Sequence, residues 1–400
     1  MKKILLITGL ITLLIPIAYS QQIKKNSDSV STSYKRSSLY TLMTTNTSRE
    51  YETDIKKYFV DRVLPDKYNN HNLSDRYIET LGAKDELTII KTYLATNKIA
   101  QKLVAKWFNR SEKGGFNMNL IKERGFYDAN ILDIEVAKSS KRGLAALADA
   151  GEELIGNTFV LVNDSKYTNK EEVAGKARSL LGAFTSQLGG SLGSQIADQG
   201  LKTFGKGFVV ATHSHLFKLV WNEEIQSRFY NELWADDKTI TPAKKQAFDN
   251  ADFFKLEYIG TDKSFADVQS TAYTTKSNSD LIGRATVKSI DNVISKLQAQ
   301  YDVFKTKMPL FSIEPLTAKV GLKDGVTEKT KFEVLEQQED EKGKTKFVQI
   351  GTLKVDTKYP IWDNKFAADE ENPNQKTDKT YFKKLSGKDF YPGLLIRQIK

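Results

Sequence analysis

The sequence predicts an α+β protein in which a mixed α/β layered domain precedes a small C-terminal β-barrel domain of SH3-like or OB-like type. Three observations predict this organisation. Over residues 49–308, segments with strand periodicity alternate with segments of helical periodicity, as in layered domains. Over residues 309–400, short Val-, Phe- and Leu-rich strands alternate with charged turns, which is typical of a small barrel or sandwich. The chain of 400 residues is also long enough for two or three cores.

The first 20 residues, MKKILLITGLITLLIPIAYS, have the three parts of a secretory signal peptide. Two lysines precede an apolar stretch (Ile4–Ile17), and the small residues Ala18 and Ser20 stand at the −3 and −1 positions of a cleavage site. The stretch is short for a transmembrane helix, so an uncleaved membrane anchor is the less favoured alternative. Residues 21–48 are rich in Ser, Thr and Lys and are predicted to be a flexible N-terminal segment.

The chain contains no cysteine, which excludes disulfides, thiolate zinc sites, cysteine nucleophiles and the lipidated cysteine of a bacterial lipoprotein. We therefore expect an exported, non-lipidated protein in the periplasm or associated with the outer membrane, with no transmembrane helix in the mature chain. The formal net charge is +10 at pH 7, from interspersed basic and acidic residues. This excess favours an envelope protein or an anionic envelope polymer as partner over nucleic acid, and a homo-oligomer is also open.

Within the α/β domain, each element follows from its hydrophobic period. Apolar residues at helical spacing begin after Arg49 and stop at Pro65. The predicted strands are Ser37–Met43, Glu86–Leu94, Asn157–Asp164 and Gly207–Trp221. The predicted helices are Thr96–Phe108, Ser139–Gly156, a glycine-rich segment at 180–206, and a long helix at about 281–306.

Pro309 and Pro315 mark the start of the C-terminal domain, where the candidate strands are LTAKVGL, KFEVLEQ, KFVQIGTLKV and GLLIRQI. Aromatic residues in this domain suggest a surface that binds a polymer. The candidates are Tyr359, Trp362, Phe366 and Tyr381. Barrel core or loop anchors are the alternative interpretation of the same residues.

The stretch GLKTFGKG (residues 200–207) is close to the phosphate-binding loop Gly-x-x-x-x-Gly-Lys-Ser/Thr. Gly207 replaces the hydroxyl residue that binds magnesium. The expected order is also reversed, because a helical pattern precedes the stretch and a strand follows it. We therefore interpret these glycines as the end of a helix and expect no nucleotide site.

The helical segment before this stretch has a stripe of small residues, Gly189, Gly193 and Ala197. Such a stripe lets two helices approach closely. Each glycine costs about 1 kcal/mol relative to alanine in a helix, so packing against something should compensate. The segment is predicted to pack on the sheet or lie at the edge of the domain, and a segment that contacts a membrane or another protein is the alternative.

His213 and His215 are two residues apart on a predicted strand and so share a face, an arrangement that can supply two zinc ligands. Apolar residues dominate that face, and the only other histidine is His71, so packed histidines are the favoured interpretation. A carboxylate could serve as third ligand, but no spacing singles one out. Acidic residues of ADAGEELIG, which are Asp149, Glu152 and Glu153, are interpreted as a solvated helix face.

Two stretches resemble exported envelope-assembly proteins. Phe116–Asp164, with Arg124 and Gly125 before a helix and a strand, resembles the α/β core of the curli secretion-channel component and of the middle domain of the flagellar assembly T protein. The stretch AKVGLKDGVTEKTKFEVLE…IGTLKV…SGKDFYPGLLIR resembles the small barrel that ends some of these proteins. The whole chain is similar to exported Gram-negative proteins without an assigned activity. This resemblance implies a role in envelope assembly.

The leading hypothesis is therefore a non-catalytic exported envelope scaffold or assembly protein, with no catalytic, cofactor-binding or metal-binding residues and no cofactor. A polymer-binding or adhesive surface protein is the alternative. A metal-dependent hydrolase that uses His213 and His215 is the third hypothesis.

Overall fold

The structure is a computed structural model that describes residues 34–46, 49–61, 65–80, 85–127, 154–169, 207–269, 276–339, 345–371, 373–391 and 393–399. In these ranges the chain forms two sheets together with helices, which confirms the α+β class. The predicted signal peptide, the glycine-rich segment at 180–206 and nearly all of the predicted helix Ser139–Gly156 lie outside the described residues. Among the helices that the structure describes, none has the length and apolarity needed to cross a membrane.

The first sheet has six strands in the order β2-β1-β4-β5-β6, with β3 also paired to β1. The strands are β1 (Ser38–Thr45), β2 (Asn69–Asn70), β3 (Tyr77–Glu79), β4 (Thr158–Asn169), β5 (Gly207–Leu219) and β6 (Leu256–Gln269). β1 runs parallel to β2, β3 and β4, whereas β4, β5 and β6 are successively antiparallel. β5 is therefore a central strand with a long hydrogen-bonded neighbour on each side.

Eight α-helices are described with the two sheets. They are α1 (Glu52–Asp61), α2 (Glu86–Thr96), α3 (Ile99–Trp107), α4 (Asn119–Tyr127), α5 (Glu223–Arg228), α6 (Pro242–Asn250), α7 (Asn278–Gln300) and α8 (Ala368–Glu371). α5 continues directly into a π-helical turn at Phe229–Leu233. Seven of these helices, α1 to α7, precede the second sheet in the chain.

Both faces of the first sheet are buried, each by its own helices. On one face Val160, Val162 and Phe217 pack with apolar residues of α2, α3 and the π-helical turn. On the other face Phe159 and Leu161 pack with the α7 residues Val293, Ile294 and Leu297. Because successive strand residues point to opposite faces, these two cores explain the nearly continuous apolar runs in β4 and β5.

The second sheet consists of six antiparallel strands that close into a ring in the order β10-β11-β8-β7-β12-β9. The strands are β7 (Met308–Ile313), β8 (Leu316–Ala318), β9 (Lys331–Glu339), β10 (Thr345–Val355), β11 (Thr380–Gly387) and β12 (Leu395–Gln398). Its interior is apolar and includes Val334, Leu353 and Ile396. Pairing of β9 with β10 closes the ring, so neither strand is left as a free edge.

One predicted element is wrong: Glu86–Leu94 is not a strand but most of α2. Asp85 caps this helix by accepting a hydrogen bond from the Thr88 amide (3.2 Å). Ile90 and Leu94, four residues apart, are buried against the sheet. Helical spacing and the cap therefore outweigh the strand preference of the β-branched residues, which is a weak local tendency.

The other predictions agree with the structure to different degrees. β1, β4 and β5 confirm three predicted strands of the first sheet, and α1, α3 and α7 confirm three predicted helices. α3 begins at Ile99, later than the predicted Thr96, because α2 occupies the residues up to Thr96. β6 and β11 were not predicted at all, since polar residues and lysines interrupt their apolar pattern.

The two sheets meet through a polar junction next to α7. Lys67 donates to Asp324 (2.7 Å) and to Gln298 (2.8 Å), so one lysine joins the loop before β2, the 3₁₀ turn before β9 and helix α7. Arg284 of α7 also contacts Glu370 of α8 (2.5 Å). These contacts are charged or polar, and their directionality orients the second sheet against α7.

Asp291 lies on α7 beside this junction. Burial raises the pKa of its carboxyl to about 6, although the nearby Lys323 and Lys67 oppose the shift and Asp324 and Asp66 add to it. A raised pKa in the folded state means that folding disfavours the ionised carboxylate. The penalty is therefore absent below the ordinary value of 3.8 and complete above about pH 6.

Replacing Asp291 with asparagine should remove this penalty. We expect Asp291→Asn to raise the free energy of unfolding by about 1–2 kcal/mol at pH 7.5 and to leave it nearly unchanged near pH 4. Urea denaturation of both proteins at the two pH values measures this difference. The exposed Asp389→Asn is the control and should change little at either pH; an equal gain for Asp291→Asn at both pH values would contradict the expectation.

Candidate functional site

His213 and His215 lie in the middle of β5 and point to the same face of the sheet. Further along this face Phe217 belongs to the apolar core, as the sequence pattern indicates. His215 is only 3% exposed, whereas the side chain of His213 is 30% exposed. The two imidazole rings are close, with 4.5 Å between their centroids. The pair thus sits at the border between the core and solvent.

Helix α2 brings a carboxylate to these two rings. Glu86 is the first residue of α2, and its Oε2 lies 3.8 Å from His213 Nδ1 and 4.0 Å from His215 Nε2. One ligand atom from each of the three residues lies within 4.8 Å of the other two. The structure therefore joins the two predicted histidines to a carboxylate that sequence reasoning missed.

A hydrogen-bond chain fixes the orientation of the His213 ring. The Thr261 hydroxyl donates its hydrogen to the Ser214 carbonyl oxygen (2.8 Å), so it accepts from His213 Nε2–H (2.8 Å). In the neutral ring this arrangement leaves Nδ1 with a lone pair. That lone pair faces the Glu86 carboxylate, and two electron-rich groups at this distance repel each other unless a cation lies between them.

A proton alone does not satisfy this arrangement. The separation of 3.8 Å between His213 Nδ1 and Glu86 Oε2 exceeds the 2.7–3.2 Å of an N–H···O hydrogen bond. His215 has the same problem, because neither of its ring nitrogens has a hydrogen-bond partner in the ranges that the structure describes. Glu86 Oε1 is likewise buried and unbonded there. Burying polar atoms without a hydrogen-bond partner costs free energy, and here such atoms of His215 and Glu86 lie close together in one place.

The electrostatic state of Glu86 suits a ligand. Burial raises the pKa of the Glu86 carboxyl, but positive charge at His213 and His215 outweighs burial and lowers it to about 2. A cation held between the three side chains would favour the carboxylate in the same way. The position of Glu86 in the first turn of α2 also favours the ionised carboxylate, because the amide dipoles of a helix N-terminus favour negative charge. Glu86 is therefore ionised at neutral pH, the form that coordinates a metal.

The geometry is close to that of a three-ligand metal site. Two ligands of a tetrahedral ion with bonds of 2.0–2.2 Å are about 3.4 Å apart. The observed distances are 3.8 and 4.0 Å from Glu86 to the two histidines, and the ligand atoms all lie within 4.8 Å of one another, so binding requires side-chain movements of up to about 1 Å. Two imidazoles and one carboxylate suit Zn²⁺, Cu²⁺, Ni²⁺ or Fe²⁺. Three protein ligands leave at least one coordination position for an exchangeable ligand.

The third histidine is not part of this site. His71 is buried and stacks on Trp107, with ring centroids 4.8 Å apart. Its Nε2 contacts the Leu103 carbonyl oxygen (3.0 Å) and its Nδ1 contacts Arg124 (3.0 Å). Burial lowers the pKa of the ring well below its usual value, and Arg124 adds to this shift. His71 is therefore a packed, neutral histidine, the role that the sequence favoured for His213 and His215.

Two other predicted features have different outcomes. Gly207 is the first residue of β5, so a strand follows GLKTFGKG where a phosphate loop would require a helix. The rest of that stretch lies outside the described residues. Asp149, Glu152 and Glu153 also lie outside them, and their interpretation as a solvated face stays a prediction.

The four aromatic residues that the sequence singles out in the second sheet lie outside its buried apolar interior. Tyr359 and Tyr381 stack with ring centroids 4.2 Å apart, and Tyr359 is 46% exposed. Lys319 lies 5.7 Å from the Trp362 ring and 5.1 Å from the Phe311 ring. Lys379 lies 5.0 Å from the Phe311 ring. We call these six residues the aromatic–lysine surface; Phe366 is half-buried beside the start of α8.

The Thr261 hydrogen bond predicts the tautomer of His213. In metal-free protein with neutral imidazoles, we expect the His213 proton on Nε2. Thr261→Val removes the acceptor of the Nε2 proton, so the fraction of the tautomer protonated on Nδ1 should rise. Nitrogen-detected NMR of labelled histidines distinguishes the two tautomers. Thr261→Ser keeps the hydroxyl and is the control; an unchanged His213 spectrum in Thr261→Val would show that Thr261 does not hold the ring.

Comparison with known proteins adds no family assignment. No protein-family model and no curated protein matches the chain.

Proposed function

We propose that this protein binds a divalent transition-metal ion with Glu86, His213 and His215. The observation that carries the proposal is the bare Nδ1 of His213, which faces the Glu86 carboxylate while Thr261 holds the opposite ring nitrogen. A metal ligand histidine commonly has its second nitrogen bound to such an acceptor, which fixes the ring and strengthens the ligand. The buried, unbonded nitrogens of His215 support the same conclusion.

The donor set makes Zn²⁺ the first ion to test. Zn²⁺ accepts imidazole nitrogen and carboxylate oxygen without a strong geometric preference, and it is four-coordinate in most protein sites. The ligands come from the N-terminus of α2 and from β5, so the ion would attach this helix to the sheet. Such attachment is compatible with the non-catalytic role that the sequence predicts, and the hydrolase hypothesis requires the same three ligands.

We expect the protein to bind one Zn²⁺ per chain and to unfold at a higher temperature when Zn²⁺ is present. His215→Ala and Glu86→Gln should each remove most of the affinity. Thr261→Val should weaken it by about 10- to 100-fold, whereas Thr261→Ser should retain it. Isothermal titration calorimetry at pH 7.5 measures the affinity, and acidification should weaken it because protons compete for the imidazoles.

Thermal shifts with and without a chelator give an independent measure of the same binding. Equal Zn²⁺ affinity in the wild-type, Glu86→Gln and His215→Ala proteins would contradict the proposal, since the ion would then bind elsewhere. Metal-free circular dichroism spectra of the variants control for misfolding.

We further propose, from the sequence, that the chain is exported and acts as an envelope scaffold or assembly protein at the periplasm or outer membrane. Its signal-peptide pattern and its resemblance to envelope-assembly proteins support this proposal. In the same proposal, the closed ring of β7–β12 is an SH3-like or OB-like barrel that follows the α/β domain. The predicted partner is an envelope protein or an anionic envelope polymer.

One structural observation supports the alternative hypothesis of a polymer-binding or adhesive surface protein. The aromatic–lysine surface combines a tyrosine stack with Lys379 beside the Phe311 ring, a combination that can stack on sugar rings and attract anionic groups. The charge of Lys319 is already paired with Asp378. Among its residues, Tyr359 is exposed enough to contact a ligand directly. The surface lies on the second sheet and involves none of the three proposed metal ligands.

Envelope fractionation distinguishes the two kinds of partner. A protein partner should co-purify with the chain through washes of rising salt, whereas binding to an anionic polymer should fall as salt screens the charges. Tyr359→Ala should reduce only polymer binding, and the exposed Leu385→Ala on the same sheet is its control. A monodisperse monomer with neither partner would count against both proposals.

A further inference from the structure

The three proposed ligands approach the ion from one side. Glu86 comes from the N-terminus of α2, and His213 and His215 come from positions two residues apart on the face of β5 that α2 covers. His215 is almost completely buried, whereas the His213 side chain is 30% exposed. A coordination position that these three residues leave open therefore points toward the solvent-accessible side, next to His213.

The charges around that position are predominantly positive. A divalent ion with one carboxylate and two neutral imidazoles keeps one unit of positive charge. Lys263 of β6 lies directly opposite His213 in the β5–β6 ladder, and residues so paired point to the same face. The Lys263 ammonium has no ion pair within the described parts of the chain.

Lys91 adds a second positive charge on α2. Its Nζ lies 4.8 Å from the centre of the Tyr258 ring, which in turn lies 6.3 Å from the His215 ring. The contact with Tyr258, whose ring packs against Phe217 of the same face, places Lys91 on the same side of the sheet as the site.

The nearby carboxylates do not cancel these charges. Asp164 of β4 is opposite His213 on the other side, but it is paired with Arg49 (2.6 Å) and accepts from the Thr44 hydroxyl (2.8 Å). Asp85 is exposed and bonded to the Thr88 amide. An anion approaching the ion from the His213 side therefore meets the ion and Lys263 before any free carboxylate.

We propose that the open position of the bound ion takes an exchangeable anionic oxygen ligand, such as a carboxylate or phosphate group of a small molecule, and that Lys263 assists its binding. This inference rests on the proposed metal site. It assigns the site a ligand-binding role, whereas an ion that only attached α2 to the sheet would need no exchangeable ligand. The positive charge around the open coordination position, and not the identity of the metal ligands, indicates that the exchangeable ligand is anionic.

The test uses the full mature chain loaded with Co²⁺, whose visible absorption reports the coordination sphere. Acetate is the anionic probe and imidazole is the uncharged probe. Both should change the spectrum in a saturable way, because both can enter an open position. At low salt, Lys263→Gln should weaken acetate binding by about 3- to 10-fold and leave imidazole binding unchanged. Lys354→Gln, an exposed strand lysine on the second sheet, is the matched control and should affect neither probe.

The outcomes separate this inference from the metal site on which it rests. If Co²⁺ binds but neither probe changes its spectrum, the coordination is closed and the inference fails while the metal site stands. If acetate binds equally to the wild-type, Lys263→Gln and Lys354→Gln proteins, the role of Lys263 is wrong. If Co²⁺ does not bind to the wild-type protein, or binds equally well to His215→Ala, the metal site itself is wrong.

Discussion

Burial of both faces of the first sheet is the constraint on which the rest of the structure depends. A strand residue that faces a helix layer must be apolar or must have a polar partner in the same layer. The polar residues on the α7 side obey this rule: Ser214 donates to Asn163 (2.6 Å), and Ser289 of α7 donates to Thr212 (2.6 Å). On the opposite face, the two ring nitrogens of His215 depart from this rule, because both are buried without a hydrogen-bond partner in the described residues.

The same constraint explains how the two sheets are joined. α7 packs its apolar stripe on the first sheet, which leaves its polar side free to meet the second. The contacts made there by Lys67 and Arg284 are ionic, and Gln298 adds amide contacts. A junction of this kind specifies orientation through directed bonds, while each sheet obtains its stability from its own apolar core.

The fold was predictable where the hydrophobic pattern is continuous. β4, β5 and α7 are long and strongly patterned, so their type followed from the sequence. The β-branched residues Ile89 and Ile90 predict a strand where the structure has α2. The capping residue Asp85 indicates a helix, but that signal does not enter the strand prediction. The sequence does not predict β6 and β11, because polar residues and lysines interrupt their apolar pattern.

The candidate site was predictable only in part. The shared face of His213 and His215 follows from the two-residue period of a strand. Glu86 depends on the packing of α2 across β5, a long-range contact that no local spacing encodes. An acidic residue at the start of a capped helix is a sequence signal for the position of Glu86. This signal can be used only after α2 has been correctly assigned as a helix.

The position of Glu86 has a consequence for the unfolded chain. An ion held by Glu86 and β5 joins residues that are far apart in the sequence, so it acts as a cross-link that closes a long loop. In a chain without cysteine no disulfide can do this. A permanent link over such a loop would remove conformational freedom worth about 4 to 5 kcal/mol from the unfolded ensemble. An ion that leaves when the chain unfolds does not restrain the unfolded ensemble; it stabilises the folded chain by an amount that rises with the metal concentration of the compartment.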